Sequence, residues 1–400
     1  MLAARSTTRR AAKLIRTFAT AVDAAGVKVA AVDHGQPTSA VTVLVNAGSR
    51  YETKPGLANV LKNFAFKSTS NRSTLGTVRE TELYGGVLSS SLSREHLALT
   101  AEFLRGDEAY FVDVLSSIIS SSKFKPWEFN ESVLPVVTEE TRAASLNPAT
   151  VALELAHAIA FRTGLGSSVF APAHLSVTSD DVKSFAAHAF SKGNITVLGT
   201  GIDQETLSKL VEKHFSTTST GSTSASSASQ YFGGETRQVL HSGPQTVFIG
   251  FGATGAPSAE LAVLAAHLST TPSVKWSASL SPITVAIPAG TAVHPILLPY
   301  SDATLFGLLV QGDSATAVKQ AAAASVKILK DTTVGGSVKP EELKKAVAKA
   351  KFAAASAVEY REGFISTFGP KAASSLVKTT PTYVAVGDAN GLPYKDEVGL

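Results

Sequence analysis

Apolar side chains alternate with small or polar ones in three stretches of the chain: Val27 to Val32, Ala40 to Asn46 (AVTVLVN) and Thr246 to Phe251 (TVFIGF). A period of two turns one face of a segment toward a core, so each stretch is predicted as a β-strand. A different pattern runs from Lys339 to Glu362, where Pro340 stands in the first turn ahead of Glu341 and Glu342 and a long Ala/Lys-rich body. Proline tolerates the first helical turn and acids favour its positive end, so this stretch is predicted as a helix. Between the two halves, residues 216 to 229 (STTSTGSTSASSAS) offer almost nothing apolar to bury and are expected to form a flexible linker. Each half opens on β-rich alternation and then enters a helix, without a regular βαβ period. The fold class expected is α+β, and the matching halves suggest a duplication that residue identity is too weak to show.

Four hundred residues suit two or three domains of ordinary size. Charged residues are only 17% against 44% apolar, so the chain is globular and hints at extra buried surface. The absence of cysteine excludes disulfides, a thiol nucleophile, iron–sulfur clusters and thiolate zinc sites.

A pI near 9.0 and a net charge of +4 would suggest an anionic partner. The location of the charge argues otherwise. Residues 1 to 18 hold Arg5, Arg9, Arg10, Lys13 and Arg16 and no acid; subtracting these five from 36 basic residues leaves 31 against 32 acidic ones. The rest is near neutral and has no basic stripe interleaved with aromatics, which removes the case for nucleic-acid binding. Wound as a helix, the leader puts Arg5, Arg9, Lys13 and Arg16 opposite Ala4, Ala11, Leu14, Ile15 and Phe18. That is the pattern of a mitochondrial transit peptide, with cleavage expected between Phe18 and Ala19 in Arg16-Thr17-Phe18-Ala19. The domain plan is then 1–18 transit peptide, 19–213 first domain, 214–235 linker and 236–400 second domain. The uncharged run between Lys275 and Asp302 contains Pro282, Pro288, Pro295 and Pro299, so it cannot be one continuous membrane span.

Gly250-Phe251-Gly252-Ala253-Thr254-Gly255 matches the dinucleotide fingerprint G-x-G-x-x-G after a strand. It lacks the acid that should follow about 20 residues on to hold a ribose, because the next acid after Glu260 is Asp302. Pro257 and Ser258 also start the following helix late, so the motif reads as a strand end, a permissive turn and a helix capped by Ser258. The nine histidines lie too far apart in sequence for a helical pair to bind zinc. No phosphate-binding loop and no serine-hydrolase elbow occur, and no cofactor is expected.

The informative segment is Gly56-Leu57-Ala58-Asn59-Val60-Leu61-Lys62-Asn63-Phe64-Ala65-Phe66-Lys67-Ser68-Thr69. It resembles the signature helix of the pitrilysin-type zinc peptidases, the inverzincins, in which H-x-x-E-H is framed by Gly-x-Ala and by an apolar residue followed by x-Phe-Lys-x-Thr. Asn59 and Asn63 stand at the histidine positions and Lys62 at that of the water-activating glutamate. Further blocks resemble the family in order. They are Arg79 to Asp107, Val136 to Glu140, Phe185 to Ile202 and Leu298 to Gly307. Glu140 falls 77 residues after Asn63, where the family's third ligand belongs.

The resemblance implies two homologous domains, each a mostly antiparallel sheet with helices on one face. It also implies a degenerate site with no catalytic residue and no metal, only Glu140 being retained beside Asn59, Lys62 and Asn63. Residues three and four apart share a helix face, so Lys62 would meet the metal point. An ammonium roughly 5 Å from Zn²⁺ is repelled by about 6 kcal/mol at an effective dielectric of 20. Inactive mitochondrial members of the family occur as core subunits of respiratory complex III and as the α subunit of the matrix processing peptidase. The latter presents presequences through a glycine-rich loop, and the corresponding Ala266 to Trp276 has no glycine. The first guise is therefore expected, peripheral to the inner membrane on its matrix side within a dimeric complex. Its partners would be core protein 1, the cytochrome b subunit and other complex III subunits.

Overall fold

The computed structural model describes residues 22–33, 35–221, 226–255, 259–271, 281–333, 338–359 and 380–400. The expected transit peptide with its Phe18–Ala19 cleavage point, the Ser258 cap, and the part of the glycine-free loop from residue 272 to 276 lie outside the described residues.

A six-stranded sheet is built from β1 (Val22–Ala24), β2 (Val27–Val32), β3 (Thr38–Val45), β4 (Val87–Leu92), β5 (Leu97–Leu104) and β6 (Ile195–Thr200). Its order is β1-β2-β6-β3-β5-β4, with only β2 and β6 parallel. Around it run α1 (Leu57–Phe64), α2 (Thr74–Leu83), α3 (Glu108–Ser121), the short α4 (Pro126–Glu128), α5 (Leu134–Leu146), α6 (Pro148–Phe161), α7 (Ser179–Ala189) and α8 (Gln204–His214). Val41, Val43 and Val45 of β3 alternate into a core shared with Val60 and Phe64 of α1, Phe111 and Leu115 of α3 and Leu207 and Val211 of α8. Local sequence sets the helix starts. Asn147 caps α6, Asp203 caps α8, and Thr178 with Asp181 forms a reciprocal capping box on α7, each such cap being worth about 1 kcal/mol.

The second sheet contains β7 (Gly234–Val239), β8 (Gln245–Thr254), β9 (Thr291–Pro299), β10 (Ala303–Gly312) and β11 (Thr382–Gly387) in the order β7-β11-β8-β10-β9. Here too one pair, β7 and β11, is parallel and the others are antiparallel. Laid on the first sheet, β7, β11, β8, β10 and β9 fall on β2, β6, β3, β5 and β4 with every strand direction preserved. This topological match carries the duplication that residue identity could not. The helices of this half are α9 (Ala259–Leu268), α10 (Pro282–Ala286), α11 (Ala315–Thr333) and α12 (Pro340–Glu359). The helix expected from Lys339 is α12; its last expected residues lie outside the described ones.

Helices on one face proves too simple for the second sheet. Val247, Ile249, Leu308 and Tyr383 face α9 and α11, whereas Phe248, Leu305, Leu309 and Val384 face Ala152, Ala156 and Ala160 of α6. Both parities of the strands are apolar, so both faces must be covered, and a helix from the first half covers the second. The crowding explains the dinucleotide-like glycines. A Cβ on Gly252 would lie 2.1 Å from the Tyr231 ring, and one on Gly250 would lie 2.4 Å from that of Phe248. Glycine here makes room for aromatic rings.

At the junction of the halves, Ser226, Ser227 and Ser229 at the end of the expected linker are held by hydrogen bonds. Arg50, with a side chain only 4% exposed, donates to Glu95 at 2.8 Å and to both oxygens of Asp302 at 2.7 Å each. Its Nε donates to Ser226 Oγ at 2.6 Å and its Nη2 to the Ser227 carbonyl at 3.1 Å, while the Ser229 backbone N–H and hydroxyl donate to Asp302. Burial pushes the Asp302 carboxyl up, but the bonds from Arg50 and Ser229 outweigh it and hold it at about 2. Charge-assisted bonds thus offset the ordering cost that composition alone could not meet.

Candidate functional site

Helix α1 turns Leu57, Val60, Leu61 and Phe64 into the core and Asn59, Lys62 and Asn63 toward α5. Gly56, at φ 86°, delivers the chain to α1, and a Cβ there would lie 2.9 Å from that of Ala171. Glu52 accepts the Ala58 N–H at 3.3 Å, so the helix begins on a carboxylate. Burial pushes the Glu52 carboxyl up to about 7 against the backbone bonds that favour its charge. Helix α5 follows a π-helical turn at Phe129–Val133, a distortion that often accompanies functional sites and that no pattern in the sequence announces.

The four residues singled out in the sequence meet. Lys62 Nζ donates to Glu140 Oε1 at 2.6 Å, and the amides of Asn63 and Asn59 donate to Oε2 at 3.1 and 3.4 Å. The Asn59 amide also reaches the Val169 carbonyl at 3.3 Å, and Asn63 donates to the Asn59 side-chain oxygen at 3.3 Å. Side-chain exposure is 15% for Lys62 and 32% for Glu140. Burial alone would raise the Glu140 carboxyl; hydrogen bonds from Lys62 and Asn63 overcome it, so the carboxylate is held below its usual range. A cleft of about 570 Å³ opens beside this cluster, lined also by Ser90 and Ser91 of β4, Asn147 and Phe170.

The donor set does not suit zinc. One carboxylate is present, it already accepts from an ammonium and two amides, and the positions beside it supply no imidazole. Among the described residues no group of three or more His, Asp or Glu is placed to hold a metal ion. The cation at the centre of this cluster is Lys62 itself. With Asn63 and Asn59 as hydrogen-bond donors and no side chain free to take a proton, the cluster provides neither a polarised water nor a general base.

The sequence reading missed the polar network between the halves. Arg94 Nη2 pairs with Glu154 at 2.5 Å and its Nη1 reaches the Ser167 carbonyl. His157 Nδ1 lies 2.7 Å from the Leu153 carbonyl and Nε2 lies 2.7 Å from the Tyr300 hydroxyl. Burial, with Arg94 nearby, lowers the His157 imidazole to about 3, and burial pushes Tyr300 up to about 12. The ring is therefore neutral, its Nδ1–H donating to the carbonyl and its Nε2 accepting from tyrosine. His157 and Tyr300 are 143 positions apart, a separation that offers no local signal.

Two duplicated α+β halves, with a helix-borne polar cluster beside a cleft, agree with the peptidase-type fold that the signature segment resembles. The chain belongs to the insulinase family, peptidase family M16: that family's profile matches residues 28–173, and the profile described as the peptidase M16 inactive domain matches residues 176–350. Among curated proteins it is 44% identical to mitochondrial cytochrome b-c1 complex subunit 2 of Cryptococcus neoformans, over 98% of this chain and 97% of that one. The protein of the same name from Yarrowia lipolytica is 36% identical, over 97% and 98% of the two chains. A probable mitochondrial-processing peptidase subunit alpha-2 of Arabidopsis thaliana is 32% identical over 53% of this chain and 43% of its own.

Proposed function

We propose that this chain is core protein 2, a non-catalytic structural and assembly subunit of mitochondrial ubiquinol–cytochrome c reductase, complex III of the respiratory chain. The observation that carries the reading is the Lys62–Glu140 pair. It fills the catalytic position of the family fold in a chain that matches cytochrome b-c1 subunit 2 proteins along nearly its whole length. The site positions Asn59, Lys62 and Asn63 are read as the lost ligands and base, with Glu140 as the survivor. The protein is mitochondrial. On this reading it lies on the matrix side of the inner membrane, paired with core protein 1 and resting on the cytochrome b subunit within the dimeric complex. Cleavage after Phe18 and the domains 19–213 and 236–400 around the linker 214–235 belong to the same reading. Among the described residues no helix is long and apolar enough to cross a membrane, which fits attachment through partners.

The processing-peptidase α subunit is the competing reading. It is less well supported because that relative matches about half of this chain and because Ala266 to Trp276 lacks glycine. A native gel of mitochondria in mild detergent separates the two. Migration with haem-bearing cytochrome b is expected. A soluble pair near twice the chain's mass that binds presequence peptides would overturn the assignment.

A further inference from the structure

The duplication assigns a counterpart to the seam between α1 and α5. In the second half it lies between α9 and α12, since α9 follows β8 as α1 follows β3. Among the described residues this second seam contains a groove of about 380 Å³, walled by Val263 and Leu264 of α9 and by Leu343, Ala346 and Val347 of α12, with Glu260 and His267 on the α9 side. Leu343 is 51% exposed at its mouth. Residues 344, 347 and 351 share one face of α12, so Lys344 and Lys351 stand beside the apolar wall. Both are exposed, and neither has an ion-pair or hydrogen-bond partner among the described residues. Lys349 differs: it donates to the carbonyls of Ser269 and Thr271, tying α12 to the end of α9.

We infer that this groove receives an amphipathic helix from another protein chain, with apolar side chains between α9 and α12 and acidic ones over Lys344 and Lys351. The groove is bounded by helices and offers no strand edge, so a segment entering it must satisfy its own backbone hydrogen bonds, as a helix does. Its volume has room for several large apolar side chains. The two unpaired ammonium groups on one flank set the charge of the occupant and its orientation. The inference rests on the reading above only for where the partner is found, among the subunits of complex III.

The test places the photo-crosslinking residue p-benzoylphenylalanine at position 343 of the full chain in mitochondria. Illumination is followed by native separation and by mass spectrometry of the adduct. The expected adduct joins position 343 to an apolar, acid-flanked segment of another complex III subunit, and its yield falls at least tenfold with Lys344→Glu and Lys351→Glu. The same probe at Leu83, 84% exposed in the first half, should not give that adduct. Lipid adducts, adducts within this chain alone, or a yield unchanged by the charge reversals would overturn the inference. An acidic helix captured from a chain outside complex III would keep the groove's assignment and count against the proposed function, as would failure to migrate with cytochrome b.

Discussion

The two halves repeat one topology but differ at the seam between the helix that follows β3 or β8 and the helix that crosses it. In the first half that seam is polar, with Lys62, Asn59 and Asn63 drawn onto Glu140 at the edge of the cleft of about 570 Å³. In the second, among the described residues, it is mainly apolar between Val263 and Leu343. Fold alone therefore does not decide what a seam does, because a few side chains set whether it bonds polar groups to one another or presents an apolar wall.

The largest expected effect comes from separating the halves that are being compared. Arg50→Ala leaves Asp302 and Glu95 without their common cation in a buried setting and should cost about 3–5 kcal/mol, read as the shift in chemical denaturation midpoint. If the loss is under about 1 kcal/mol, the junction network is not what joins them.

Acidification probes the same boundary. The His157 imidazole is lowered from 6.5 to about 3 in the folded chain, so the unfolded chain binds a proton first. Its contribution is present above pH 6.5 and is lost as pH falls toward 3. Between pH 6.5 and 4.5 the Glu52 carboxyl, raised from 4.5 to about 7, takes up a proton more readily in the folded chain and opposes this loss. Melting temperature should therefore drop mainly below pH 4.5, and His157→Gln should flatten that drop. Asp302 adds a second loss only below its ordinary value near 3.8, as pH falls toward 2.

Within the first seam, Lys62→Ala should cost about 1–3 kcal/mol by leaving a partly buried carboxylate short of a charged donor. It should also raise the Glu140 carboxyl, measurable by carbon-detected NMR titration. Replacing Asn59 and Asn63 by His and Lys62 by Glu should restore a zinc site with Glu140. Calorimetry showing no zinc uptake would count against reading these positions as lost ligands. The smallest effect belongs to the second seam. Lys344→Glu with Lys351→Glu should change the stability of the chain alone by less than about 0.5 kcal/mol, because those ammonium groups have no internal partner to lose.

Much of this was legible beforehand, for physical reasons tied to short range. Period-two alternation named β2, most of β3 and β8, and Pro340 with Glu341 and Glu342 named the start of α12. The spacing of Asn59, Lys62 and Asn63 placed them on one face, and Glu140 was found at a family spacing. The bonds of Ser226, Ser227 and Ser229 were not legible, because composition reports the apolar surface a segment could bury and says nothing of an Arg50 or an Asp302 that meets it. The reason for Gly250 and Gly252 was not legible, because the motif cannot show the Phe248 and Tyr231 rings that crowd them.

By itself the sequence determined much of the strand and helix pattern and the family, since each depends on residue type at fixed local spacing. Only tertiary structure decided that Lys62 pairs with Glu140 as the site's own cation, that α6 crosses to cover the second sheet, and that Arg50 binds the linker to Asp302. Those contacts join positions 78, about 100 and 252 residues apart. Which distant groups meet is set by how two sheets and their helices bury both apolar faces, and no local pattern encodes that.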